Sequence, residues 1–322
     1  GTAPCAQAPC TSIVRTRDGG QSWVGIHAPV AELFGHNDCA DNCVTSLRFA
    51  SPLIGYAFGP SALYLTTDGG NSWIKQPGNA YALEIANGTV LRVTDRNSGG
   101  ANCGIYAGCP FKVQRAEVGS TRWQDESLPA GGPTLVGLSL VRTGHLAVLT
   151  TFGHVAGGAQ SARSALYLSG DDGSHWSLQP DPCPAQSGGN ELDTRATTTA
   201  ADGSISVLCS SRAPGGGQFT MTSTDGGAHF NAAPASLGTV TGNALGAASA
   251  TTLLVSLDRL YRSTDGGRSW HPVSGPSQAS YIGFESGSVG RVLGPVAQGS
   301  LGSATVWTTR DAGANWTSHT FR

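Results

Sequence analysis

Residues 261–270 read YRSTDGGRSW: a short alternating strand, an acidic Gly-rich turn, then a tryptophan. The same grammar returns as RTRDGGQSW at 15–23, LTTDGGNSW at 65–73, LSGDDGSHW at 168–176, MTSTDGGAHF at 221–230 and WTTRDAGANW at 307–316. Aligned on Asp18, Asp68, Asp171, Asp225, Asp265 and Asp311, the copies share the pattern Ser/Thr-x-Asp-x-Gly-x-x-Trp/Phe. An Asp at a turn can accept bonds from its own downstream amides, and Gly takes positive φ without strain. The Ser or Thr satisfies a further local group. The aromatic residue opens the next strand and plugs the gap between neighbouring sheets. Alternating segments such as ALYLTT at 62–67 and ATVWTT at 304–309 precede the turns, so each copy reads as a hairpin carrying its own staple. Most copies hold one carboxylate, too few for a calcium loop, and the turn is read as structural.

A worn copy, QRAEVGSTRW at 114–123, puts Glu117 in the acid position, keeps Gly119 and adds one residue before Trp123. Successive acids then lie 50, 49, 54, 54, 40 and 46 residues apart. A period of about 40–50 residues with four short strands is the mark of propeller blades. With strands A to D running from the inside outwards, the acidic turn falls between C and D. In the first full period A, B, C and D are expected at 44–50, 55–59, 63–67 and 73–76, and later blades start near Tyr81, Thr134, Arg195, Val240 and Ser280. The N-terminus adds only a C–D hairpin, at 11–16 and 23–27. The expectation is an all-β, seven-bladed β-propeller over residues 1–322 as a single domain, its N-terminal blade incomplete. Six blades plus an N-terminal hairpin is the alternative.

The motif resembles the Asp-box, or bacterial neuraminidase repeat, of sialidase-like, sortilin-like and photosystem II assembly factor-like propellers. Its copies run from Thr16 to Trp316, almost the whole chain. The resemblance implies the fold. It does not choose a function, because that family mixes enzymes, receptors and assembly factors.

Composition agrees with many strands and tight turns: 46 Gly, one Met and only 12% charged residues in 322. A net charge of −2 leaves no footprint for nucleic acid or an anionic membrane surface. No apolar run reaches the ~18 residues of a membrane span. The eight cysteines pair on spacing as Cys5/Cys10, Cys39/Cys43, Cys103/Cys109 and Cys183/Cys209. No C-x-x-C occurs, so disulfides in an oxidising compartment are the reading, with no metal and no cofactor. The chain is expected to be a processed, secreted or cell-envelope monomer.

In this layout the acidic turns share one face, and the B–C and D–A loops share the other. The loops at 95–110, 152–165 and 181–195 are longer than a strand-to-strand turn needs. With the loop before the first A strand they carry the candidate ligand-binding residues Asp38, Asp95, Arg96, Tyr106, His154, Arg163, Glu191, Asp193 and Arg195. Arg195, expected to open an A strand beside the channel, is the leading candidate, because its fork can grip a carboxylate. Arg48, Glu84 and Arg195 place charge on A strands, where a wet channel or a ligand would solvate it. His36, His145 and His154 are candidates to gather.

No GxSxG nucleophile motif and no P-loop or dinucleotide fingerprint is present. The Arg-Ile-Pro that marks the first arginine of sialidases is absent. The leading functional reading is a non-catalytic propeller that binds a glycan or protein partner on the loop face. The alternative is a glycoside hydrolase, sialidase-like or another exo-glycosidase, with a carboxylate pair on that face.

Overall fold

A computed structural model describes residues 2–3, 10–33, 42–95, 111–129, 137–152, 164–183, 192–211, 216–233, 236–238, 244–276, 278–294 and 305–321. Six four-stranded sheets, each built from strands consecutive in sequence, form the blades of a β-propeller. The first blade has strand A at Ser46–Phe49, B at Gly55–Phe58, C at Leu63–Thr66 and D at Ile74–Lys75. In the same order the second has Ala82–Ala86, Thr89–Asp95, Phe111–Glu117 and Gln124–Glu126. The third has Gly137–Thr143, Leu146–Phe152, Ala165–Ser169 and Ser177–Gln179. The fourth has Leu192–Thr199, Ile205–Ser211, Gln218–Ser223 and Asn231–Ala232. The fifth has Ala244–Ala247, Leu253–Ser256, Leu260–Ser263 and His271–Pro272. The sixth has Tyr281–Phe284, Gly290–Leu293, Thr305–Thr309 and Thr317–Thr320. No described helix is long and apolar enough to cross a membrane.

Among the described residues the blades number six, with an N-terminal hairpin, Ile13–Arg15 with Val24–Ile26, which is the alternative given above and not the seven first expected. The hairpin nonetheless docks on the first blade as a C–D pair docks on its successor. Arg15 Nη1 donates to Gly69 O at 3.0 Å, and Arg262 Nε on the fifth blade donates to Ala312 O at 2.8 Å. Each arginine sits three residues before its own acid, and each carbonyl follows the acid of the next turn. Trp73 Nε1 also donates to His27 O at 3.0 Å. Spacing alone could not separate a whole blade from its outer half, because the acidic turn belongs only to strands C and D.

The expected pairing Cys183–Cys209 is present, and of the four it is the one with both ends described. Cys43 is disulfide-bonded, and Cys39, its expected partner, lies outside the described residues. Cys10 is described as strand backbone, in Cys10–Thr11, opposite Ala3. Cys5, Cys103 and Cys109, of the expected pairs Cys5–Cys10 and Cys103–Cys109, lie outside the described residues.

Two compact units divide the chain. The first, built around the hairpin and the first two blades, has a core of Tyr56, Phe58, Leu63, Leu65, Leu83 and Val90. The second includes the last three blades, with Leu254, Leu260, Ile282 and Val292 in one cluster and Leu208, Leu245, Val255 and Leu257 in another. Each cluster takes residues from adjacent blades. B strands such as Gly55–Phe58 and Leu253–Ser256 are buried throughout, whereas the A strand Ser46–Phe49 is buried nowhere.

The acidic turns close by one repeated set of bonds. The Ser or Thr hydroxyl donates to Asp Oδ1 at 2.8 Å in all six copies. It accepts the N–H of the Gly two residues past the acid at 2.8–2.9 Å. Oδ1 also takes the N–H of the residue four past the acid, at 2.9–3.0 Å. Led by the Ser72 hydroxyl, these bonds hold the Asp68 carboxyl at about 2; led by the Asn315 N–H, they hold Asp311 at about 2. The Ser269 hydroxyl foremost keeps Asp265 well below the ordinary carboxylate range. A depressed folded-state pKa contributes stability that is complete above the unfolded value and is lost as pH falls through the folded one. Melting temperature should therefore hold from neutrality down to about pH 4 and drop as pH approaches 2. Asp265→Ala should lower the melting temperature at pH 7 and flatten the acid limb; an acid limb as steep as that of the wild type would refute the linkage.

The worn turn is repaired from outside. Arg115 stands where the hydroxyl residue should be and pairs with Glu126 at 3.0 Å instead. The orphaned Gly119 N–H donates to Tyr56 Oη, on the first blade, at 2.8 Å. Trp123 Nε1 is buried without a partner, and its ring lies 4.1 Å beneath the Arg92 guanidinium. Tyr56→Phe should cost about 1–2 kcal/mol, because it strips Gly119 of its acceptor. Urea melts that coincide with wild type would show that this bond is dispensable.

Candidate functional site

The loop-face end of the fourth blade is built around one extra residue. Thr194 pairs with Cys209 and Ala196 with Leu208, so Arg195 has no partner on strand B. This is a β-bulge, a device that re-aims a side chain and is over-represented beside active sites. Thr194 N–H reaches Ser164 Oγ at 3.4 Å, and Thr197 Oγ1 meets Thr150 Oγ1 at 2.9 Å. Ser164 and Thr150 both belong to the third blade; the first contact is made by the Thr194 backbone and the second by the Thr197 side chain. Ala196 packs against the fifth-blade cluster.

A disulfide pins the bulge. Cys183 in the D–A loop joins Cys209 on strand B, with Cα atoms 5.6 Å apart, as the spacing suggested. Thr194 Oγ1 lies 3.3 Å from Cys183 Sγ, and Cys183 N–H donates to Asp181 Oδ1 at 2.9 Å. Arg195 is thus held at its backbone and left open at its side chain, which is 40% exposed. Its one ion pair is to Asp193 at 3.8 Å, beyond hydrogen-bond range, and Asp193 is only 15% exposed. The other arginines on described strands, Arg15, Arg48, Arg92, Arg115, Arg142, Arg262 and Arg291, all donate hydrogen bonds. Among the described residues Arg195 donates none. The expectation that Arg195 opens strand A is corrected: the strand starts at Leu192.

Asp95 ends strand B of the second blade and is 6% exposed. Asn79 Nδ2 donates to its Oδ2 at 3.0 Å, and the Tyr81 phenol lies close enough to feel the Asp95 charge. Burial first, and the Asp95 charge second, push the Tyr81 phenol up. Sequence reasoning missed Asn79 and Tyr81 as partners of Asp95, because both are common turn and strand-start residues. Thr194 and Ser164 were missed for the same reason. The one sequence signal was LDTRATTT at 192–199, where the buried Thr194 and Thr197 fall out of period.

The remaining A-strand charges are paired within the first unit. Arg48 Nη2 meets Glu84 Oε1 at 2.7 Å. His145 Nδ1 lies 2.7 Å from Asp172 Oδ2, on the acidic-turn side of the third blade, and the buried Arg142 donates to Asp172 Oδ1 at 2.8 Å. Asp38, Arg96, Tyr106, His154, Arg163 and Glu191 lie outside the described residues, as does His36. Among the described residues no group of three or more His, Cys, Asp or Glu could hold a metal ion.

No family model and no curated protein matches the chain. Solved structures match its fold. A YCF48 structure described as bound to a D1 peptide is 18% identical, with TM-score 0.55 over 87% of this chain and 83% of that one. YCF48 from Cyanidioschyzon merolae is 12% identical, with TM-score 0.54 over 86% and 84%. The Hadza microbial sialidase Hz136 is 15% identical, with TM-score 0.53 over 84% and 67%. At these identities the likeness shows the propeller fold alone. Fold and geometry together define an all-β propeller with a disulfide-pinned polar end on its fourth blade.

Proposed function

We propose that the chain is a non-catalytic binding propeller that meets a glycan or protein partner on its B–C and D–A loop face. The observation that carries this reading is Arg195: an extra residue in strand A, anchored by a disulfide, whose guanidinium donates no hydrogen bond among the described residues. A fold has no structural need for such a residue, and a polar partner has a direct use for it. Asp193 stands beside it, and Asp38, Asp95, Arg96, Tyr106, His154, Arg163 and Glu191 are proposed as further ligand-binding residues. The Cys183–Cys209 bridge supports residence in an oxidising compartment, secreted or in the cell envelope. Screening wild type and Arg195→Ala side by side on glycan and peptide arrays tests the reading: signals should appear with wild type and vanish with the variant at unchanged melting temperature.

The Tyr81–Asp95 pair favours glycoside hydrolysis as a second reading, since it sets a phenol against a carboxylate at a loop-face strand end. That reading requires turnover of fluorogenic glycosides, sialosides included, and its loss in Asp95→Asn.

A further inference from the structure

Building on the binding reading above, we infer that Arg195 and Asp193 recognise a neutral, hydroxyl-rich group, the diol of an uncharged sugar, and not an anion. Their charges oppose each other at 3.8 Å, too far to satisfy each other by a hydrogen bond. Arg195 has five N–H donors, none used by the described residues. Asp193 has partners of its own, but a carboxylate offers about four acceptor positions and can take a further proton donor. The pair therefore presents donors and an acceptor side by side with no net charge.

An oxyanion approaching the guanidinium must also approach Asp193. Attraction and repulsion then act over similar distances and largely cancel, and the anion brings no proton for the carboxylate. A hydroxyl group behaves differently, because it is donor and acceptor at once. Of two adjacent hydroxyls, one can accept from Arg195 while the other donates to Asp193. Both bonds involve a charged protein group, the stronger class of neutral-ligand contact. The bulge supplies what such recognition demands, since Thr194 and the Cys183–Cys209 bridge fix the backbone on which both side chains stand.

Calorimetric titration of the folded chain with neutral oligosaccharides, their sialylated or uronic-acid counterparts, and acidic peptides separates the cases. The expected result is binding of a neutral oligosaccharide. Its affinity should change less than about twofold between about 50 and 500 mM NaCl, because no ligand charge is screened. It should fall about tenfold or more in both Arg195→Gln and Asp193→Asn. Preference for an acidic sugar or peptide, with affinity falling as salt rises and tightening in Asp193→Asn, would overturn the inference while leaving the binding reading intact. A folded wild type that takes no ligand of any class overturns both.

Discussion

Gly227→Val is expected to cost about 2–6 kcal/mol, a large share of the stability of the fold. Gly227 lies two residues past Asp225 at φ 90°, where a β-branched side chain is strained. A Cβ added there would stand 2.2 Å from Leu168 Cδ1 on the third blade and 3.2 Å from Ile205 Cδ1 on its own blade. The same position recurs in other turns: Gly173 faces Leu91, Gly267 faces Thr220, Gly313 faces Leu254, and Gly70 faces Ile26 of the hairpin. The glycine is therefore where one acidic turn keys into the blade before it. Backbone strain of about 1–3 kcal/mol and overpacking of about 1–3 kcal/mol add, against a total stability of only about 5–15 kcal/mol. Gly203→Ala is the control, at φ 83° with nothing within 4 Å of the new Cβ, and should cost only about 1–2 kcal/mol. Denaturant melts of the two variants measure the difference. Equal costs would mean that the interlock with Leu168 contributes nothing.

Deleting Arg195 should have the opposite profile, with the fold kept and binding lost. Thr194 and Ala196 already pair with Cys209 and Leu208, which are neighbours on strand B. Removing the residue between them leaves a regular ladder. Melting temperature should stay near that of wild type or rise slightly. Affinity for any array ligand should fall about tenfold or more, since the exposed guanidinium is gone. Asp265→Ala, at the acidic-turn end of the fifth blade, should do the reverse, lowering melting temperature at unchanged affinity. A deletion variant that binds as wild type does would remove Arg195 from the site. One that fails to fold would show that the bulge is structural.

The acidic turn was legible in the sequence because its bonds are local. From Thr16 to Ser22, or from Ser263 to Ser269, the bonds that the hydroxyl residue and the acid make within the turn span no more than four residues, so composition and spacing carry the motif. Its recurrence set the all-β class and the C–D position, and placed Cys183 close enough to Cys209 to pair. Other features needed tertiary structure, because they join residues that spacing does not relate. Tyr56 stands in for a missing hydroxyl 63 positions away at Gly119, and Asp172 gathers Asn87, Arg142 and His145 from three loops and strands. The blade count needed it as well, since Ile13–Arg15 and Val24–Ile26 carry a complete turn without the inner half of a blade. Arg195 is the sharpest case. The sequence by itself determined that a charged residue stands near the start of an A strand. Only tertiary structure decided that it would be left out of the ladder, because Thr194 and Ala196 take the neighbouring strand B residues Cys209 and Leu208 and leave none opposite Arg195.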